Sequence, residues 1–180
     1  MAKVLLGVTG SIAAYKAAEL VRMFVKAGDE VRVMMTEAAA KFVAPLTFQT
    51  LSQNPVSLEQ FAEVAEWKPG HISLADWADV LVVAPATANT LAKMRFGLAD
   101  NLLTSTLLAT RAPVVVAPAM NDGMWENAQT KENLSALEAR GVKVVEPGSG
   151  FLACGTTGKG RVADLQQIFD AAKEAVCSKN

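Results

Sequence analysis

Short apolar runs alternate with longer stretches of helical periodicity along this chain. The apolar runs predict strands over Lys3–Val8, Glu30–Met35, Val80–Ala84, Val114–Ala117 and Val142–Val145. Their almost continuous hydrophobic character is typical of strands buried on both faces, as in a parallel sheet. The pattern therefore predicts an α/β fold in which helices cover both faces of a mostly parallel sheet.

The stretches between these strands predict helices. From Ala13 to Lys26, apolar residues recur at helical spacing, and Gly28 lies where a helix would end. Further helices are predicted over Leu98–Thr110, Asn127–Arg140 and Ala163–Val176. Residues 37 to 79 are predicted to be helical but irregular, because prolines interrupt the pattern at positions 45, 55 and 69. The glycine-rich stretch from Gly148 to Gly160 is interpreted as a mobile loop rather than a regular element.

Composition and charge narrow the function classes. The 180 residues are 51% hydrophobic and 19% charged, which suits one folded domain over residues 1–180. Positive and negative residues are balanced and interspersed, so no nucleic-acid partner is expected. The first apolar run is too short for a signal peptide or a membrane span, so we expect a cytoplasmic protein without a membrane partner. Cys154, Cys177 and the single His71 are too scattered for a metal centre or a disulfide scaffold.

Polar and small residues follow the predicted strands. Thr9-Gly10-Ser11-Ile12 comes after the first strand and Thr36 after the second. The next two strands are followed by Pro85-Ala86-Thr87-Ala88-Asn89-Thr90 and Pro118-Ala119-Met120-Asn121. Because ligands of open parallel sheets bind beyond the carboxyl ends of the strands, we expect one pocket there for a polar-edged, phosphorylated ligand.

The turn after the first strand suits a phosphate. Its glycines allow close backbone approach, and a helix N-terminus follows with free N–H groups. The turn matches neither the GxxxxGK[ST] loop nor the full GxGxxG spacing, and Thr36 replaces the acidic residue that would hold a ribose hydroxyl. One phosphate, as in FMN, therefore suits the pattern better than NAD. Taken alone, the turn is equally compatible with a tight bend in which Ser11 caps the helix.

The next two motifs also allow more than one interpretation. Thr87 or Asn89 could simply cap a helix over Leu91–Met94, but this motif carries more hydrogen-bonding capacity than one cap uses, which favours the polar edge of a flavin ring. Asn121 could donate its amide N–H groups to a carboxylate without adding a charge. Met124 and Trp125, considered singly, favour packing at the end of the core.

Two residues could transfer protons. His71 follows Pro69-Gly70 and is predicted to lie at a loop-to-helix junction before a helix over Ser73–Ala78, where it could act as a base at neutral pH. Cys154 lies in the glycine-rich stretch near Lys159 and Arg161, whose charges would favour a thiolate.

Taken together, four segments resemble the motif set of the homo-oligomeric flavin-containing cysteine decarboxylases. These segments are Gly7–Lys16, Pro85–Thr90, Pro118–Trp125 and Leu152–Arg161, and the likeness is collinear from Val4 to about Ala172. The chain departs from the usual family pattern at Thr87, where serine is common and the hydroxyl is kept. It also departs at Thr156, where an acidic residue is common, and this leaves open how that part of the substrate clamp closes.

The resemblance implies a Rossmann-like (flavodoxin-like) three-layer sandwich that binds FMN and decarboxylates phosphopantothenoylcysteine to 4′-phosphopantetheine in coenzyme A biosynthesis. It assigns the base to His71, the final proton donor to Cys154, and the substrate contacts to Asn121, Met124, Leu152 and Ala153. FMN contacts fall on Gly10, Ser11, Ile12, Thr36, Thr87, Ala88, Asn89, Thr90, Ala119 and Met120. The resemblance further implies a homo-oligomer, either a trimer or a dodecamer built from trimers, with sites shared between chains.

Three other functions are compatible with this family or a related fold. A peptidyl-cysteine decarboxylase would share the cofactor, His71 and Asn121, but the cysteine loop Leu152–Gly160 favours the pantothenate substrate. A flavin prenyltransferase is disfavoured by the motif Pro118–Trp125. A non-catalytic FMN-binding regulatory subunit is disfavoured because His71, Asn121 and Cys154 are all present.

Overall fold

A six-stranded parallel sheet forms the centre of the molecule. The computed structural model describes residues 1–61 and 67–178. The strands are β1 (Lys3–Val8), β2 (Glu30–Met35), β3 (Val56–Ser57), β4 (Val80–Ala86), β5 (Val114–Pro118) and β6 (Lys143–Val144). They pair in the order β3-β2-β1-β4-β5-β6, and every pairing is parallel. The predicted α/β fold with a parallel sheet is therefore confirmed.

Helices cover both faces of this sheet. They are α1 (Ala14–Lys26), α2 (Glu37–Ala40), α3 (Pro45–Ser52), α4 (Gly70–Trp77), α5 (Ala88–Phe96), α6 (Leu102–Ala109), α7 (Asp122–Glu126), α8 (Ala128–Glu138) and α9 (Leu165–Cys177). Alternate residues of β1 enter different cores: Val4 and Leu6 pack in a cluster with α1 and α9, whereas Leu5 packs in a cluster with α6 and α8. Burial on both faces explains why the strands are apolar without alternation.

Several element boundaries differ from the prediction for local reasons. Helix α6 begins at Leu102 rather than Leu98, because Asn101 caps it and accepts a hydrogen bond from the Thr104 amide at 3.0 Å. Strand β4 continues through Pro85 to Ala86. Strand β6 is shorter than predicted, and the two-residue strand β3 lies in the stretch predicted to be irregular helix. Residues 62–66 of that stretch lie outside the described residues.

The interpretation of the glycine-rich stretch as a loop was wrong. Gly148–Phe151 (β7) and Thr157–Arg161 (β8) form an antiparallel hairpin. A Cβ on Gly160 would lie 2.2 Å from the Met120 carbonyl oxygen, and a Cβ on Gly158 would lie 2.8 Å from Cβ of Asp122. These glycines therefore allow the hairpin to dock closely on the chain that follows β5, which is a packing role that local sequence does not reveal.

Within the described residues, no helix has the length and apolar character needed to cross a bilayer. The same residues contain no group of three or more His, Cys, Asp or Glu side chains that could hold a metal ion.

Candidate active site

The carboxyl ends of β1 and β4 meet where the direction of the strand order reverses, which is where open α/β sheets bind ligands. Thr9 joins these two ends. Its hydroxyl donates to the Pro85 carbonyl oxygen at 2.6 Å and accepts from the Thr87 amide at 3.0 Å. Thr9 is buried and was not among the predicted site residues. A polar residue directly after a buried strand was the available signal, and its role is to hold the two strand-end motifs in register.

A first cavity of about 780 Å³ opens beyond the ends of β1, β2 and β4. The predicted cofactor residues that line it are Gly10, Thr36, Thr87, Ala88, Asn89 and Thr90. Sequence reasoning missed its acidic lining residues Glu37, Glu59 and Asp100. The ends of β1, β2 and β4 therefore share one depression, whereas the sequence predicted a single pocket that also included the end of β5.

A second cavity of about 660 Å³ adjoins the first and lies between the end of β1, the end of β5 and the hairpin. Both cavities share Gly10, Thr87, Ala88 and Met124. The other predicted site residues lining the second cavity are Ser11, Ile12, Ala119, Met120, Asn121, Leu152, Ala153 and Cys154. Of all the predicted site residues, only His71 lines neither cavity.

Thr36 and Thr87 are also helix N-caps, whereas Ser11 lies in the turn before α1, whose N-cap is Ala13. Thr36 accepts from the Ala39 amide at 3.2 Å, Thr87 from the Thr90 amide at 3.3 Å, and Ser11 from the Ala13 amide at 3.3 Å. The capping interpretation is therefore correct for Thr87 and wrong for Ser11, and Thr36 is a cap that was not predicted. Capping does not exclude ligand binding, because a hydroxyl that accepts one hydrogen bond can still donate another.

The N-terminus of α1 is open towards the second cavity. Its N-cap, Ala13, provides no side-chain hydrogen bond, and the first turn holds no acidic residue. Ala13 itself lines the cavity. The Ala13, Ala14 and Lys16 amides are hydrogen-bonded within the turn. The positive end of the helix dipole therefore remains as the feature that suits an anionic group bound next to this turn.

Asn121 and Cys154 are in direct contact although they are 33 residues apart. The Asn121 side-chain oxygen accepts from the Gly123 amide at 2.9 Å, which directs its Nδ2 towards the thiol, where it donates to Sγ at 3.3 Å. The Thr156 hydroxyl lies 3.1 Å from the same sulfur. Hydrogen bonds from the side chain and backbone of Thr156, and then from Asn121, lower the pKa of the Cys154 thiol from its ordinary value.

The hairpin that carries Cys154 is held against the strand ends by backbone. The Met120 amide donates to the Gly160 carbonyl oxygen at 3.0 Å. At the hairpin tip, the Leu152 amide donates to the Thr156 carbonyl oxygen at 2.8 Å. Predicted substrate contacts from two distant segments thus face one space.

Met124 and Trp125 differ in their surroundings. Met124 is 48% exposed and lines both cavities, so the interpretation as a core residue was wrong for it. Trp125 is 3% exposed, with Lys131 Nζ lying 4.0 Å from its ring centroid. Trp125 is therefore the core residue of this pair, as predicted.

His71 lies within the first turn of α4, because the helix begins at Gly70 rather than at Ser73. Its Nδ1 is buried and has no hydrogen-bond partner within the described residues. Because His71 borders neither cavity, the chain does not bring its predicted base together with Asn121 and Cys154.

Comparison with known proteins matches residues 1–177 to the Flavoprotein family. The chain is 47% identical over 176 residues to the Coenzyme A biosynthesis bifunctional protein CoaBC of Haemophilus influenzae, covering 98% of this chain and 44% of that protein. It is 48% identical over 171 residues to CoaBC of Bacillus subtilis, covering 95% of this chain and 42% of that protein. The chain thus spans less than half the length of these relatives.

Solved structures match over nearly their whole length. A PPC decarboxylase carrying a cysteine-to-serine mutation, complexed with pantothenoylaminoethenethiol, is 35% identical with a TM-score of 0.86, covering 96% of this chain and 97% of that one. The FMN-dependent cysteine decarboxylase SpaF is 31% identical with a TM-score of 0.87, covering 98% of each chain. With its matching family model, parallel sheet and pair of cavities at the strand-order reversal, this chain belongs to the Flavoprotein family.

Proposed function

We propose that this chain is an FMN-dependent lyase that decarboxylates phosphopantothenoylcysteine to 4′-phosphopantetheine in coenzyme A biosynthesis. The observation that carries this proposal is the contact between the Asn121 amide and the Cys154 thiol at a cavity that shares its wall with the predicted cofactor residues. The CoaBC relatives and the PPC decarboxylase structure support the same substrate. We further propose that residues 1–180 form one flavoprotein domain and that the protein is cytoplasmic.

The residues at the strand ends fit an FMN molecule. A Cβ on Gly10 would lie only 2.5 Å from Cβ of Ala38, so this position of the turn requires glycine. The turn leads to the N-terminus of α1. Gly10, Ser11, Ile12 and Thr36 would hold the phosphate. The ring would contact Thr87, Ala88, Asn89, Thr90, Ala119 and Met120. Bound FMN would supply a reversible two-electron oxidation of the cysteinyl CH₂–SH to a thioaldehyde, whose C=S accepts the electron pair left when carbon dioxide departs.

The substrate's cysteinyl end would lie between Asn121 and Cys154. The Asn121 Nδ2 group, already directed into the cavity, would donate to the substrate carboxylate and so orient the carbon–carbon bond that breaks. The Cys154 thiol would then give its proton to carbon in the final step, in which the two electrons removed in the oxidation would return to the other carbon as hydride and the enethiol would become a saturated thiol. Hydrogen bonding that lowers the pKa of Cys154 makes this thiol a stronger acid than a free cysteine. Met124, Leu152 and Ala153 would contact the rest of this end.

His71 would act in the site of a neighbouring copy. It lines neither cavity of its own chain, and the imidazole is the base that the resemblance assigns to the oxidation and decarboxylation steps. We therefore propose a homo-oligomer, a trimer or a dodecamer built from trimers, in which each site draws residues from two chains.

Product analysis by mass spectrometry tests the proposed function. The purified protein, loaded with FMN, is incubated separately with phosphopantothenoylcysteine and with a peptide ending in cysteine. We expect 4′-phosphopantetheine and carbon dioxide from the first and an unchanged peptide from the second. Decarboxylation of the peptide alone would assign a peptidyl-cysteine decarboxylase, and protein that retains no FMN after reconstitution would contradict the flavin chemistry altogether.

A further inference from the structure

The two adjoining cavities differ in charge. The described residues that line the second cavity include two charged side chains, Lys16 and Arg161, and both are positive. By contrast, the first cavity is lined by Glu37, Glu59 and Asp100 and by Lys93, whose ammonium pairs with Asp100 at 2.6 Å. For a ligand bound at Asn121, a second anionic group is therefore favoured in the second cavity over the first.

Both cations are available to a ligand. Within the described part of the chain, neither Lys16 nor Arg161 forms an ion pair with a carboxylate. Lys159, which lies two residues from Arg161 on the same strand, is instead paired with Glu146 and does not line the cavity. Lys16 is half-buried, so it gains from an incoming anion because part of its hydration is already lost. Arg161 is exposed, and its planar guanidinium can donate two hydrogen bonds to a phosphate.

The backbone around Arg161 holds it at the cavity. Arg161 ends β8 directly after Gly160, whose carbonyl oxygen is bonded to the Met120 amide. The Arg161 guanidinium packs against the backbone of Gly150, where an added Cβ would lie 3.5 Å from Nη1. Lys16 reaches the same cavity from the first turn of α1, opposite the hairpin. The two cations therefore come from separate elements and line one cavity.

We infer that Lys16 and Arg161 bind the phosphate of phosphopantothenoylcysteine and select it over substrates without a phosphate. The inference rests on the proposed function, which places the cysteinyl end of the same molecule at Asn121 and Cys154. The apolar lining of the same cavity includes Phe151 and Val162, which suit the aliphatic middle of a pantothenoyl chain. A substrate with an anionic group at each end thus meets an amide donor at one end and two cations at the other.

The phosphate of FMN is the alternative ligand for Lys16 and Arg161. Two observations favour the substrate. Arg161 lies on the hairpin that carries Cys154, rather than on the strand-end turns. The cavity that Lys16 and Arg161 line also contains Asn121 and Cys154, and of the predicted FMN phosphate contacts it includes Gly10, Ser11 and Ile12 but not Thr36.

Binding measurements on the FMN-loaded protein test the inference. Calorimetry compares 4′-phosphopantetheine with pantetheine, which lacks the phosphate, for the wild type and for Lys16→Met and Arg161→Met. Each substitution should weaken 4′-phosphopantetheine binding about 10-fold to 100-fold, the range for a hydrogen bond to a charged group, and leave pantetheine binding unchanged. Arg161→Lys should recover part of the loss, since it keeps the charge but not the planar fork. Lys26→Met, an exposed lysine at the other end of α1, is the matched control and should bind both ligands as the wild type does.

The outcomes separate this inference from the proposed function. Equal weakening of both ligands, or a wild type that binds both equally, would overturn the phosphate role while leaving decarboxylation intact. Loss of FMN but not of riboflavin from the variants would assign the cations to the cofactor and also overturn it. If the wild type prefers 4′-phosphopantetheine but releases no carbon dioxide from phosphopantothenoylcysteine, the proposed function fails and the phosphate site stands.

Discussion

The oxygen and the nitrogen of the Asn121 side-chain amide make different hydrogen bonds. Its oxygen closes a turn onto the Gly123 amide, and its Nδ2 points to Cys154. Asn121→Asp should preserve the turn, because a carboxylate accepts the same hydrogen bond. It should lower kcat/KM about 100-fold or more, because a donor to the substrate carboxylate is replaced by a like charge. Steady-state measurement of carbon dioxide release checks this expectation.

The chain offers a matched control for that substitution. Asn127 makes the same kind of turn, accepting from the Gln129 amide at 2.9 Å, and lines neither cavity. Asn127→Asp should therefore keep full activity, since an acidic N-cap is well tolerated. Equal activity in Asn121→Asp and Asn127→Asp would remove Asn121 from substrate binding.

Cys154 should titrate below the ordinary range of a thiol because Thr156 and Asn121 stabilise its thiolate. Thiolate is the reactive form, so the alkylation rate rises with pH through the pKa. In a Cys177→Ser background, Thr156→Val should move this rise to higher pH, since the hydroxyl 3.1 Å from Sγ is lost. The rate of iodoacetamide labelling across a pH series measures the shift.

The neighbouring residue provides the comparison. Thr157→Val removes an exposed hydroxyl at the start of β8 that forms no hydrogen bond with the sulfur in the described structure. Its labelling profile should match that of the Cys177→Ser parent. If Thr156→Val also matches the parent, hydrogen bonding does not set the reactivity of Cys154.

At the scale of elements, the hairpin docks through glycine rather than through apolar side chains. Gly160 has φ +149° and its missing Cβ would overlap the Met120 carbonyl oxygen, so Gly160→Ala should push the hairpin away from β5. The Cys154–Asn121 contact would be lost, and kcat/KM should fall at least about 10-fold, as expected when a catalytic group is displaced by an ångström or more. Hydrogen exchange of residues 148–161 should rise, while the exchange of β1 and β4 stays slow.

Gly148→Ala tests whether any change in the hairpin has this effect. A Cβ there would lie 3.9 Å from the Arg161 carbonyl oxygen, which is an ordinary van der Waals contact. This variant should keep both activity and slow exchange. Wild-type behaviour of Gly160→Ala would show that the hairpin does not need its close approach to Met120.

Elements that depend on the local sequence pattern could be predicted from the sequence, whereas features that depend on contacts between distant residues could not. β1 and β2 match their predicted bounds because continuous apolar runs end at polar or small residues. The same logic predicted the strand-end residues of the site. The hairpin was not predicted because its glycines are required by contacts with Met120 and Asp122, which lie about 40 residues away along the chain. Thr9 was seen as a strand-end residue, but its bonds to Pro85 and Thr87 depend on which strand becomes its neighbour.

The whole molecule presents large apolar side chains to solvent, including Phe61 at 92% and Trp67 at 94% exposure. Others, Ile12 and Tyr15, border the second cavity itself. Exposed apolar surface next to a site is typical of an interface, and a closed oligomer would cover it. This agrees with the proposal that His71 of one chain serves the Cys154 site of another.

Mixed oligomers test that arrangement directly. His71→Asn should abolish carbon dioxide release, and Cys154→Ser should stop after decarboxylation, so neither chain alone forms 4′-phosphopantetheine. If each site takes its base from one chain and its thiol from the next, co-expressed chains carrying one substitution each should restore about a quarter of the sites by random assembly. Separately purified variants mixed without subunit exchange are the control and should stay inactive. If the co-assembled oligomer also forms no 4′-phosphopantetheine, His71 and Cys154 must act from the same chain, because then no chain in the mixture holds an intact pair.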